Sequence, residues 1–297
     1  MQDILVLGGT QFFGKRLVEK LLRKEKNVTI ATRGLTKDSF GDSVERLTID
    51  RGNKESQLDA FSGRKWDLVY DQSCFSPQEA KDTAEALDGK VAHYIFTSSM
   101  AVYDFGTNHK EGDFKPEKYS ITYKPRNEYK GYEGYQEAKR AAEAVLLRQQ
   151  GFKTSFIRFP IVIGKDDYTN RLKFHVDKVK NREPIGIHDI EARYSFILSG
   201  EAADFLYRIG ETAYTGAFNP GSEGDLSLNE LLNKIENITL RKAFVTDKID
   251  SNNASPYALP GSWSISTERV KSLGFTFSDL HETLDNLIRF YLIEQEK

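Results

Sequence analysis

The sequence predicts an α/β fold: a doubly wound parallel sheet with a smaller α/β domain towards the C-terminus. Short apolar runs of strand length alternate with amphipathic helical patterns through the first half of the chain. The first run leads straight into a glycine turn and a helix, in "DILVLGGTQFFGKRLVEKLL". After Gly164 this rhythm changes, and helical stretches are joined by short extended ones. The 297 residues, 39% of them hydrophobic, suffice for one large domain or for a main domain with a smaller partner.

The elements follow in order. Ile4 to Leu7 is a continuous apolar run, as expected of a strand covered on both faces. Phe13, Leu17, Leu21 and Leu22 recur at helical spacing. "NVTIATRG", "VERLTIDRGN", "WDLVYDQSCF" and "VAHYIFTSSMAVY" read as strands two to five, with the helix "SPQEAKDTAEALDG" before the fifth. "YQEAKRAAEAVLLRQQG" is a helix that Gly151 is expected to close as a C′ glycine. "TSFIRFPIVIG" reads as one sixth strand. Strands alternating with helices imply right-handed βαβ units. Beyond Gly164, "RLKFHVDKVKN" is helical and "ARYSFIL" extended. Ser199 is expected to cap "SGEAADFLYRIGE", and Ser227 with Glu230 forms a capping-box pattern on "SLNELLNKIENI". "STERVKSLGF" and "DLHETLDNLIRFYLIEQ" follow. The stretch from Asp104 to Tyr132, rich in Tyr, Lys and Glu, is expected to be a lid or a disordered loop.

Composition narrows the function classes. The formal charge is −2 and no long single-sign run occurs, so a dedicated nucleic-acid binder is not expected. No apolar run approaches the ~20 residues of a membrane span. With Cys74 as the single cysteine and no basic-apolar leader, a cytoplasmic protein is expected. The five histidines are scattered without ligand spacing, and no metal site is expected. Cys74 reads as a buried structural thiol.

The glycine turn has the placement that phosphate binding requires, after strand one and before a helix. Free N–H groups and the helix dipole hold phosphate there. The candidate cradle is Gly8, Gly9, Thr10, Gln11, Phe12, Phe13 and Gly14. Gly8 suits the sharp turn and Gly14 the close packing of helix on strand. Gln11 stands where a G-x-x-G-x-x-G loop has its middle glycine, so Gly9 is expected to give the close approach. The alternative is a tight turn without a ligand. Strand two ends in Ala31-Thr32-Arg33-Gly34, with no acid for the ribose hydroxyls of NAD. Arg33, helped by the Thr32 hydroxyl and Lys37, suits a 2′-phosphate, which favours NADP while leaving NAD open. A solvated surface arginine is the alternative.

Tyr135 and Lys139 lie four residues apart on one helix, so the ammonium is brought near the phenol. A nearby cation favours the phenolate, which makes such a pair a proton donor and acceptor at neutral pH. The motif alone is weak; its context is the fifth strand, which ends in "FTSSMAVY". That places Ser98 and Ser99 at the carboxyl edge of the sheet, where ligands bind in open α/β folds. Lys110, Lys124, Arg126 and Lys130, with Tyr119, Tyr123 and Tyr132, are either a phosphate- and base-binding lid or a solvated loop.

The glycine loop, "FTSSMAVY" and "YQEAKRAAE", in that order, resemble the extended and atypical short-chain dehydrogenase/reductases, the NAD(P)-dependent epimerase/dehydratase group. "IRFPIVIGKDD", "YSFILSGEAADF" and "AFNPGSEGDLSLNELLNKI" are similar to later family segments. The resemblance implies a Rossmann domain over 1–164, with about 191–215 returning to it, and a mainly substrate-binding domain over 165–297. It implies Tyr135 as catalytic acid/base, Lys139 as ribose-binding and tuning residue, and Ser99 as the group orienting the substrate oxygen, with Ser98 beside it. Asp50 and Arg51 would lie near the adenine, and Pro160 near the nicotinamide. Met100 and Ala101 stand where sugar 4,6-dehydratases carry an Asp-Glu pair, which counts against dehydration. The expectation is hydride transfer on a secondary alcohol or ketone, with a nucleotide sugar as the small-molecule substrate and a homodimer allowed. Other classes kept in view are a non-catalytic cofactor sensor and an RNA binder, since a chloroplast stem-loop-binding branch shares the G-G-T-x-F-x-G loop.

Overall fold

The computed structural model describes residues 2–124 and 126–294. In chain order the elements begin with β1 (Asp3–Leu7), α1 (Phe12–Arg23), β2 (Asn27–Thr32), β3 (Glu45–Thr48), α2 (Lys54–Ala60), β4 (Trp66–Asp71), α3 (Pro77–Ala86), β5 (Val91–Ser99), β6 (Gly106–His109) and α4 (Gly131–Arg148). Next come β7 (Lys153–Phe159), β8 (Ile161–Ile163), α5 (Arg171–Asn181), β9 (Pro184–Gly186), β10 (Arg193–Tyr194), β11 (Phe196–Leu198), α6 (Ser199–Gly210) and β12 (Gly216–Phe218). The chain closes with β13 (Leu226–Ser227), α7 (Leu228–Thr239), β14 (Phe244–Thr246), β15 (Trp263–Ile265), α8 (Glu268–Ser272) and α9 (Leu280–Glu294). Gln295, at the end of the last helical pattern, lies outside the described residues. No described helix is long and apolar enough to cross a membrane.

The chain divides into two compact units. The first comprises residues 1–102, 111–159 and 202–219, the second 103–110, 160–201 and 220–297. The first unit holds a seven-stranded sheet in the order β12-β7-β5-β4-β1-β2-β3, every pair parallel. This is the doubly wound sheet expected from the sequence. The order reverses beside β1, so the loops after β1 and β4 flank the switch point where such sheets bind ligands. β1 is buried from its second residue on and β2 from Val28 to Ala31, as strands covered on both faces must be. Leu5, Leu7, Phe61, Val69, Leu87, Phe96 and Phe156 belong to one continuous core. Ser76 caps α3 by accepting from the Glu79 N–H, and Pro77 follows at the first helical position.

The second unit has shorter strands: a four-stranded mixed sheet, β13-β10-β15-β6, and the parallel pairs β8-β11 and β9-β14. The Ser227–Glu230 capping box is present at α7.

Four expectations are corrected. The single sixth strand is two: β7 belongs to the seven-stranded sheet, whereas β8 pairs with β11. Pro160, which has no N–H for a ladder bond, separates them. Gly151 is not the C′ residue of α4, which ends at Arg148; the Gln149 amide donates to the Leu146 and Phe152 carbonyls instead. Ser199 lies inside α6, and its hydroxyl donates to Asp166 rather than capping. The described residues of the 104–132 stretch are not a disordered loop: they hold β6 and three 3₁₀ turns, and the Glu117 and Tyr119 carbonyls accept from Arg148.

Candidate functional site

A cleft of about 610 Å³ opens at the carboxyl ends of β1, β2 and β3. That lies within the range of small-molecule sites, roughly 300–1,000 Å³. Gly8, Thr10 and Gln11 line it from the first loop, Thr32 and Arg33 from the end of β2, Asp50 and Arg51 from the end of β3, and Arg126 from the loop before α4.

The loop works differently from the expected division of labour. Gly8 has φ +102°, which provides the turn out of β1. Gly9 faces inward: a Cβ there would come within 2.8 Å of Val6 and 2.9 Å of Val18, so it serves core packing rather than ligand approach. Gly14 leaves room for the Gln72 side chain, which a Cβ would strike. The cleft-facing surface of the loop is Gly8, Thr10 and Gln11. Gln11 precedes α1 without a side-chain capping bond, and the first turn of α1 has no acid. The helix therefore presents a positive dipole end at the cleft with no acidic side chain of its own to offset it. Phe12 takes a left-handed φ of +51° at the helix entry, a conformation costing about 1–2 kcal/mol in a non-glycine residue. Phe13 packs edge-on against Phe159, with ring centroids 5.5 Å apart.

Arg33 is exposed and makes no hydrogen bond or ion pair among the described residues. The Thr32 hydroxyl accepts from the Gly34 N–H. Asp50 spends one oxygen on the Gly52 N–H. Arg51 is committed to Asp71 through two 2.8 Å bonds and also reaches Thr83. Asp71 is fully buried and further accepts from the Tyr94 hydroxyl and the Ser73 and Cys74 N–H groups. This network pins the loop after β4 to the end of β3 and to the middle of β5. Burial pushes the Cys74 thiol up to about 12, consistent with a structural thiol.

Lys139 is buried, and its ammonium donates to the Cys74 carbonyl at 2.8 Å and the Thr97 carbonyl at 3.0 Å. It lies 5.9 Å from the centre of the Tyr135 ring. Tyr135 rests against Phe75, with centroids 5.9 Å apart. Ser99 ends β5, half-buried, its oxygen accepting from the Ala101 N–H at 3.1 Å. Lys139 thereby ties α4 to the strand end that carries Ser99. Ser98 has a different partner from the expected one: it is buried and donates to Glu143, which forms a fully buried ion pair with Arg158 at 2.7 Å. It belongs to that network rather than to a ligand surface, because neighbouring strand residues face opposite sides of the sheet. Pro160 begins the second unit, one residue beyond β7.

Sequence reasoning did not find Asp71, Glu143, Arg158 or the two carbonyls that hold Lys139. Glu143 in "AAEAVLL" and Arg158 in "FIRFPIV" carried a signal, a charge inside an apolar stretch, which needs a buried partner.

Comparison with known proteins agrees with this geometry. A curated relative, the chloroplast stem-loop binding protein of 41 kDa b from Arabidopsis thaliana, is 27% identical over 238 residues, 75% of this chain. The chain spans 59% of the length of that protein. Among solved structures, the UDP-glucose 4-epimerase of Thermotoga maritima with UDP-glucose is 17% identical with a TM-score of 0.75, covering 99% of this chain and all of that one. The dTDP-glucose 4,6-dehydratase of Bacillus anthracis in complex with NAD is 13% identical with a TM-score of 0.72, covering 100% of this chain and 98% of that one. At such identities these two matches establish the fold. The model of the NAD dependent epimerase/dehydratase family matches residues 4–219, most of the chain including the whole cleft, and the chain belongs to that family.

Proposed function

We propose that this protein is an NADP-dependent enzyme that moves hydride to or from a secondary alcohol or ketone, as an epimerase or a reductase, on a nucleotide sugar or a similar polyol. The observation that supports the reading is the tethering of Lys139 to the Thr97 carbonyl, with the Tyr135 ring beside it and Ser99 two residues further along the same strand. A nicotinamide, when bound, supplies a hydride acceptor or donor at its C4 atom. Tyr135 takes the hydroxyl proton as an alcohol is oxidised and returns it as a ketone is reduced. The Ser99 hydroxyl orients the same oxygen. An ammonium has three donors, and Lys139 spends two on backbone carbonyls. The third remains for a ribose hydroxyl.

The residues present fit the adenine-side phosphates. The amino end of α1 faces the cleft without an acid, and Arg33 is exposed and unspent at the end of β2, where a carboxylate would favour NAD. This supports NADP. The nucleotide-sugar assignment is supported by solved proteins of the same fold, such as the Thermotoga maritima epimerase with UDP-glucose.

The test is a screen of nucleotide sugars and simple ketones with nicotinamide absorbance as readout. A reductase consumes the reduced cofactor, whereas an epimerase converts substrate with no net change. On the substrate found, Tyr135→Phe should bind cofactor as the wild type does and lose about 10²–10⁴ in turnover. Retained turnover would refute the acid/base role.

A further inference from the structure

We propose that Arg126 binds the diphosphate of the dinucleotide, as a second cation in the cleft distinct from Arg33. The inference rests on the reading of the cleft as a dinucleotide site. Arg126 lies in the segment before α4 and lines the cleft with Gly8, Thr10 and Gln11. Two contacts hold its guanidinium in place: it lies over the Phe75 ring at 4.8 Å, and Nη1 donates to Glu79 at 2.9 Å. Glu79 is nearly buried, and its other oxygen accepts from the Phe75 N–H. One edge of the arginine fork is therefore anchored while its side chain remains 56% exposed. Among the described residues, its Nε and Nη2 groups have no partner. A guanidinium fixed in orientation with donors to spare is suited to a phosphate oxygen pair.

Position decides which phosphate. The sheet order places β4 and β2 on opposite sides of β1. Arg33 follows β2, whereas Arg126 is anchored to Phe75 and Glu79, which follow β4. Phe75 also touches the ring of Tyr135. Arg126 thus stands between the end of the cleft that carries Arg33 and the end that carries the proton-transfer tyrosine. In a dinucleotide, the group between the adenosine and the nicotinamide ribose is the diphosphate. The other charged cleft residues are already engaged: Arg51 by Asp71, Asp50 by the Gly52 N–H and Glu79 by Arg126. Among the described cleft residues, Arg33 and Arg126 are the two unsaturated cations, one for the 2′-phosphate and one for the diphosphate.

The diphosphate is common to NADPH and NADH, so calorimetric titration of the full chain with each separates the roles. Arg126→Gln should weaken both nucleotides by the same factor, about tenfold, while Arg33→Gln should weaken NADPH alone. Arg126→Lys, which keeps the charge and loses the fork, should fall between wild type and Arg126→Gln. Glu79→Gln keeps the arginine but loosens its anchor, and should weaken both nucleotides less than Arg126→Gln does. Equal affinities for wild type and Arg126→Gln would overturn the inference, as would a loss confined to NADPH. A loss in Glu79→Gln as large as in Arg126→Gln would also overturn it, by tracing the effect to loop structure. Absence of binding by the wild type would remove the dinucleotide reading itself, and this inference with it.

Discussion

The ends of β2 and β3 lie side by side, Thr32 paired with Thr48, and each is followed by an arginine on the cleft. The two arginines are used differently. Arg51 is buried and bonded through both terminal nitrogens to Asp71, which in turn organises the loop after β4. Arg33 is exposed and has no partner among the described residues. Residue type and pocket membership are the same, so they do not separate scaffold from ligand group. What separates them is whether the charge is already neutralised inside the protein.

The largest expected effect comes from breaking the neutralised pair. Arg51→Ala leaves the Asp71 carboxylate buried and unpaired, and should cost about 3–5 kcal/mol of unfolding free energy in a denaturant titration. A loss below about 1 kcal/mol would mean that Arg51 is no more engaged than Arg33. A smaller effect is expected at His175, a buried polar group of the second unit held by the Arg171 carbonyl and Ser255. Burial lowers its pKa to about 4 from the usual 6.5. The folded state thus refuses a proton that the unfolded chain accepts. Its contribution is complete above pH 6.5 and is lost as pH falls from there through 4, up to about 3 kcal/mol. His175→Gln should flatten that part of the stability profile, and an unchanged profile would count against a neutral buried imidazole. The smallest effect on stability belongs to Arg33. Arg33→Asp should leave the unliganded protein within about 0.5 kcal/mol of wild type. The same change should shift the NADPH/NADH affinity ratio towards NADH by about tenfold or more, and an unmoved ratio would return Arg33 to the solvated surface.

The same distinction explains what was legible in the sequence. Local patterns were readable. The helix expected over "RLKFHVDKVKN" is α5, residue for residue, and the Ser227–Glu230 box forms as its spacing implies. The parallel order of the first unit followed from alternating strands and helices, and Tyr135 and Lys139 from one helical turn. Pairings across the chain were not readable. Nothing near Arg51 announces Asp71, twenty positions on, and nothing near Ser98 announces Glu143. Those partners are chosen by tertiary packing: Arg51, after the edge strand β3, reaches Asp71 at the end of β4 although β1 and β2 lie between them in the sheet, and Glu143 comes from α4. The split at Pro160 is marked in the sequence by a single missing N–H inside a run that is apolar on both sides of it, and apolar periodicity alone makes that run one strand.

The central claim is that Arg33 and the amino end of α1, at the carboxyl edge of the sheet, hold a nicotinamide dinucleotide. Thermal melting of the full chain alone, with NADH and with NADPH at one concentration tests it most directly. The account predicts a higher melting temperature with either nucleotide and the larger rise with NADPH. Identical curves with and without both nucleotides would contradict it.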